Sequence, residues 1–129
     1  MRIEMAKLYD GWTRDCVLWG QVNLQEHEPA RLDLDRWKDY WRRTHIDGIT
    51  LNAGGIIHYY DTGKEWNWVS PWMSEVGDRD IFGEMVEAAR ECDLYVLARF
   101  TPSRVHEHVA RSHPEWLLTD AQRQPVPDP

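Results

Sequence analysis

The run Leu94-Tyr95-Val96-Leu97-Ala98 is apolar at every position and follows a helical pattern almost without a break. A strand that shows no apolar–polar alternation expects cover on both faces, as in a parallel sheet. The segment before it, Asp80 to Cys92, is the clearest helix of the chain. Ile81, Phe82, Met85, Val86, Ala89 and Cys92 make one stripe, with Glu84, Glu87, Arg90 and Glu91 outside it. Asp78 or Asp80 can cap its start. Upstream, Ile49 to Leu51 reads as a short buried strand. Strand, long loop, helix, strand is a βαβ unit, and its crossover makes parallel pairing the expectation. The expected fold class is therefore α/β.

The first of these strands leads into Asn52-Ala53-Gly54-Gly55-Ile56-Ile57-His58-Tyr59-Tyr60. The strand is expected to stop at Asn52. Two adjacent glycines let the backbone turn with positive φ and let another group approach it closely. A buried strand followed by a polar side chain, a glycine turn and aromatic groups is how an α/β protein places a site at the carboxyl end of its sheet. Alternation sends His58 and Tyr60 one way and Tyr59 the other. Arg99, at the end of the second strand, shares the rim with Asn52 if the strands are parallel.

The remaining segments are read in order. Residues 1 to 15 form an irregular lead-in, in which Trp12 packs at an unspecified place. Cys16 to Val22 is a strand or extended piece, and Gln25 to Ala30 is a loop. Leu34 to Arg43 is a helix with Leu34, Trp37, Tyr40 and Trp41 on one face, Asp33 as its cap and Arg42 and Arg43 at its negative end. Asp61 to Asp78 is a long polar and aromatic loop, of a length that is often functional. A short helix from Arg104 to Ser112 would start at Thr101-Pro102-Ser103, with Ser103 as cap and Pro114 as stop. Trp116 to Thr119 is a short extended piece, and residues 121–129 are an irregular tail.

Composition removes several classes of function. The net charge is −7 with Lys and Arg scattered, so no concentrated basic patch offers itself to nucleic acid. No run approaches the length of a membrane span, and the first residues lack the apolar core of a signal peptide. A cytoplasmic location is the default. Cys16 and Cys92 stand in separate apolar segments, which makes neither a disulfide scaffold nor a cysteine metal site. Eight tryptophans are many for 129 residues, and Trp66, Trp68 and Trp72 crowd into one loop. Their large apolar faces are costly to leave in water and could pin the loop to the core.

Five motifs in order resemble a known family. They are Asn52-Ala53-Gly54-Gly55-Ile56; Tyr60 with Thr62; Asp80-Ile81-Phe82-Gly83-Glu84; Leu97-Ala98-Arg99-Phe100; and His113-Pro114-Glu115-Trp116. From about Val22 to about Asp120 the chain resembles the opening of the hypothetical glycoside hydrolase family, (β/α)8 barrels grouped with β-galactosidase- and fucosidase-like hydrolases. The resemblance implies that Asn52 and its glycine turn follow the first barrel strand and that Arg99 ends the second. It places His113 in the region beyond that strand, on the face where sugar is held. The family's presumed catalytic carboxylates would lie on later strands, beyond Pro129. Two departures stand out: Asp61 replaces a proline, and Ala121-Gln122-Arg123-Gln124 replaces a glycine turn.

Glycoside hydrolysis needs two carboxyl groups, about 5 Å apart for retention and about 6.5–9.5 Å for inversion. Asp47, Asp61, Glu65, Asp78 and Glu115 are the acids near the expected rim. Asp47 precedes its strand, Asp78 resembles a cap and Glu115 belongs to a turn, so none is named catalytic. The candidate sugar-binding residues are Asn52, His58, Tyr60, Trp66, Trp72, Arg99 and His113. For Arg99, sugar hydroxyls, a carboxylate from the rest of a barrel and a structural ion pair all stay open. His106 and His108 stand two apart and would face different ways on a helix, which makes a metal reading weak. No phosphate-binding glycine motif, nucleophile elbow or Cys–His pair is present, so no cofactor is expected. The chain reads as the N-terminal part of a barrel hydrolase, with a homo-oligomer left open for the longer protein and no activity expected of this part alone. The alternative is a stand-alone carbohydrate-binding or interaction domain built on the tryptophan-rich loop.

Overall fold

The computed structural model describes residues 12–101 and 103–126. One helical turn, α1 (Trp12–Asp15), precedes strand β1 (Trp19–Val22). A 3-10 turn (Glu28–Arg31) leads to helix α2 (Leu34–Thr44), and strand β2 (Gly48–Gly54) follows. The long loop after β2 contains a 3-10 turn (Pro71–Glu75) and ends at helix α3 (Ile81–Arg90). Strand β3 (Tyr95–Phe100), a short helix α4 (Glu107–Ser112) and a 3-10 turn (Pro114–Trp116) complete the order. No helix among the described residues is long and apolar enough to cross a membrane.

The three strands form one parallel sheet in the order β1-β2-β3. Gly48 is the register partner of Trp19 on one side and Tyr95 on the other, and Asn52 is the partner of Arg99. Both helices that connect strands start as their sequences predict. Asp33 accepts a hydrogen bond from the Arg36 backbone N–H at 3.0 Å, and Asp80 accepts one from Gly83 at 2.8 Å. Each satisfies an N–H that has no carbonyl partner inside the helix. The helices α2 and α3 pack on each other, and α3 packs on β2 and β3.

The core lies between these helices and the sheet. Trp41 of α2, Ile49 and Leu51 of β2, and Ile81, Met85, Ala88 and Ala89 of α3 are buried together with Val22 and Tyr59. Asp47, at the start of β2, accepts from the Val17 and Leu18 N–H groups at 2.9 and 2.8 Å. These bonds, Leu18 first, hold its carboxyl below the usual carboxylate range and stitch the entries of β1 and β2 together. That contact occupies Asp47 at the end of the sheet opposite Asn52.

Several expectations need correction. Strand β2 does not stop at Asn52 but runs on to Gly54, with a register irregularity between the two. Strand β3 passes Arg99 and ends at Phe100. It is not covered on both faces: Leu97 is 44% exposed and Phe100 55% exposed, and among the described residues no strand pairs with its outer edge. Strand β1 is shorter than expected, as Cys16 to Leu18 lie before it. Ser103 does not cap a helix; the helix begins at Glu107 after His106, whose side chain makes no cap bond. Trp116 belongs to a 3-10 turn rather than an extended piece. The end of the chain is less irregular than expected. Thr119 and Pro125 form an antiparallel bridge, and Asp120 accepts from the Gln122 and Gln124 N–H groups at 2.9 and 2.8 Å. Arg123 there takes φ 59°, the left-handed conformation that a glycine would otherwise supply. The expected lead-in over residues 1–15 lies mostly outside the described residues, and Trp12 to Asp15 are helical rather than irregular.

Candidate functional site

The carboxyl end of β2 gathers four of the seven candidate residues. Asn52 lies beside Arg99 in the parallel register, and Gly54 lies beside Phe100. Beyond Gly54 the chain turns back: Gly55 has φ 136°, and a Cβ there would strike the Thr101 carbonyl oxygen. This turn returns His58 over the strand end. A Cβ on Gly54 would collide with the His58 ring, so the histidine occupies space that only a glycine leaves open. The His58 ring meets Tyr60 edge-on at 5.6 Å and Phe100 at 6.3 Å. Tyr60 in turn lies against Phe82 at 5.8 Å and donates its hydroxyl to the Ala53 carbonyl at 2.7 Å.

The expected alternation holds. His58 and Tyr60 share one cluster, whereas the Tyr59 hydroxyl goes elsewhere, to the Leu24 carbonyl at 2.7 Å. Burial, with help from Glu26 and Glu28, pushes the Tyr59 hydroxyl up to about 12. His58 is only 4% exposed. Its backbone is fixed by the Trp68 carbonyl at 2.8 Å and by the Ser70 N–H at 2.9 Å. Its ring Nδ1 is buried without a hydrogen-bond partner, and burial holds the imidazole below its ordinary value. The Asn52 Oδ1 is likewise buried and unpartnered. Unmade hydrogen bonds of this kind are costly, and two of those among the described residues lie at this strand end.

The other three candidates lie apart from this group. Trp66 is 42% exposed and Trp72 38% exposed, and Trp72 meets His27 edge-on at 6.4 Å. His113 stacks on Trp116 at 3.8 Å and 5° between planes, with Glu115 at 3.1 Å and Glu65 at 3.6 Å from its nitrogens. Glu65 thus draws the long loop toward the His113 turn, while Glu115 is held low by its own backbone N–H and by His113. Trp68 is not free for a sugar on the face that His106 covers. The two rings stack at 4.1 Å, and His108 lies at 5.1 Å from the same indole. Among the described residues, no three His, Cys, Asp or Glu side chains converge as metal ligands would.

A cleft of about 500 Å³ adjoins Tyr60, with Asp61, Ser70, Ser74, Asp78 and Arg79 among its lining. Its volume is within the range of small-ligand sites. Asp61 is partly used there, accepting from the Gly63 N–H at 2.7 Å. Arg79 is engaged by Glu84 through two nitrogens and Asp80 by its cap bond from Gly83, which leaves Asp61 and Asp78 as the other acids of the cleft. Phe100 and Phe82 join the site although sequence reasoning did not single them out. Phe100 could have been found by running the strand one residue past Arg99, and Phe82 only from the packing of Tyr60.

The family described as hypothetical glycosyl hydrolase 6 matches residues 33–129. The chain belongs to that family. The matched stretch starts at the cap of α2 and contains β2, its glycine turn, β3 and the His113 turn. The glycosyl hydrolase 6 match therefore includes every candidate residue discussed above. No curated protein and no solved structure matches the chain.

Proposed function

We propose that this chain is the N-terminal portion of a (β/α)8 barrel that acts on carbohydrate and that its strand ends supply part of the sugar site. One observation carries the reading: Asn52 and Arg99 are paired at the carboxyl ends of adjacent parallel strands, where barrel enzymes hold their substrates. Sequential strand order, helices between the strands and an uncovered far side of β3 support the barrel. Membership in the hypothetical glycosyl hydrolase 6 family supports carbohydrate as substrate. In this reading Asn52 and Arg99 meet the sugar. His58 and Tyr60 hold the strand end in shape beneath it, and Trp66, Trp72 and His113 border the approach. The catalytic carboxylate pair lies on other strands, so residues 1–129 alone bind without hydrolysing.

The test is a panel of aryl glycosides offered to the protein expressed from its full reading frame, alongside residues 1–129 alone. Hydrolysis by the first and none by the second is expected. Hydrolysis by residues 1–129 that disappears on replacing Asp61 or Asp78 would place the reaction within this chain instead.

A stand-alone binding module is the second reading, favoured by the exposure of Trp66 and Trp72. It expects oligosaccharides to quench tryptophan fluorescence and Trp66→Ala to remove the effect, with Arg99→Gln leaving it unchanged. The barrel reading expects Asn52→Ala to weaken binding and Trp66→Ala to leave most of it.

A further inference from the structure

We infer that the sugar held at this rim is acidic and that Arg99 reads its carboxylate; the inference rests on the carbohydrate reading above. Arg99 is part-buried at the end of β3, and no described hydrogen bond or ion pair engages its guanidinium. Scarcity of anions does not explain this, since the chain has 22 acidic residues against 15 basic ones. The one other Lys or Arg that is part-buried among the described residues is paired: Lys38 meets Asp35 and Glu91. The exposed ones are mixed, some paired on helices, as Arg43 is with Asp39 and Arg90 with Glu87, and some without a described ion pair, as Arg31 and Arg36. Among the described residues the cation at the strand ends has no ion pair, and the side chains that meet at that rim are uncharged: Asn52, His58 in its neutral form, Tyr60 and Phe100.

A part-buried guanidinium is stable only when something accepts its hydrogen bonds. Its planar fork fits a carboxylate with two parallel bonds, a geometry that a lysine cannot copy. Within a carbohydrate site, the ligand that brings a carboxylate is a uronic acid. Neutral sugars offer only hydroxyls, which accept more weakly from a cation.

Saturation-transfer NMR and calorimetry on the full chain test this. The probes are methyl glucuronides and galacturonides of both anomers, against the matching methyl glucosides and galactosides. Uronides are expected to bind about 10- to 100-fold more tightly, the range of a hydrogen-bonded charge. The preference should shrink as salt rises. Arg99→Gln should abolish the preference while leaving the weak hexoside binding, and Arg99→Lys should keep only part of it. Near-UV circular dichroism of each variant reports whether the fold survives. Equal affinity for acidic and neutral sugars overturns the inference and leaves the carbohydrate reading standing. So does a loss on Arg99→Gln that is the same for both, which would assign Arg99 to a carboxylate of the protein. A folded chain that binds neither class overturns both.

Discussion

His58 is held in place by what Gly54 lacks. The imidazole sits where a Cβ would be, and Gly54 itself has φ 153°. Gly54→Ala should therefore destabilise the chain by about 1–3 kcal/mol through strain and displacement of the ring. Urea unfolding measures the loss, and His58→Ala in the Gly54→Ala background should recover part of it, because the two sites are in contact. Full additivity of the two changes would show that the ring is not the obstacle. The same histidine gives the chain a pH dependence. Burial lowers its proton affinity below the ordinary 6.5, and His106, lowered by burial and by His108, shifts the same way. Below that ordinary value the unfolded chain takes up protons that the folded chain refuses. The stability these groups contribute is thus full above about pH 6.5 and is lost as pH falls through their lower folded values. Unfolding midpoints at pH 7.5 and pH 5.5 should differ in that direction, and His58→Gln should reduce the difference. An unchanged slope in that variant would move the effect to other groups.

Helix α3, like α2, starts on a single capping aspartate. Asp80 accepts from the Gly83 N–H, and a side chain at Gly83 would press on the same carboxylate at 2.5 Å. Asp80→Ala should cost about 1 kcal/mol, within the usual range of cap losses, and Asp80→Asn should cost less. Thermal melts of the two variants make the comparison; equal losses would assign the effect to charge at the helix dipole rather than to the hydrogen bond. The long loop before α3 is not a slack connection. The pairing of His58 with Val69 and the Ser70 hydroxyl bond to the Glu26 carbonyl, at 2.8 Å, tie it to the strand end and to the segment after β1. Its tryptophans divide the work: Trp68 is taken up by two histidines, and Trp66 and Trp72 keep much of their surface open.

Seen whole, the molecule is one parallel sheet with a central strand and two outer ones. Strand β2 has hydrogen-bonded neighbours on both sides, and its Ile49 and Leu51 are each 1% exposed. Local opening should leave it the last element to unfold. Native-state hydrogen exchange on residues 1–129 should find the slowest amides in Ile49 to Leu51, with β1 and β3 faster. The proposed barrel predicts that in a longer protein that closes it β3 becomes as slow as β2, because a further strand would cover its open edge. Equal protection of β2 and β3 in the shorter chain would mean that its outer edge is already covered.

Helices α2 and α3, their Asp caps and the parallel pairing of β2 with β3 were legible in the residues, since apolar spacing, a single Asp and a crossover helix decide them locally. So was the shared rim of Asn52 and Arg99, which follows once two buried strands flank a crossover helix, whereas their register as direct partners came from the structure. The cover on β3 was not legible: an apolar run states what a strand expects, and only the packing shows what it receives. Strand ends moved for a similar reason, because pairing with β3 carries β2 through Asn52 and Ala53 to Gly54 against their weak local preference. The tertiary structure alone decided that His58 is buried, that Trp68 is shared with His106 and His108, and that His113 lies apart on Trp116. Each depends on contacts between segments distant along the chain, and residue spacing carries no information about those.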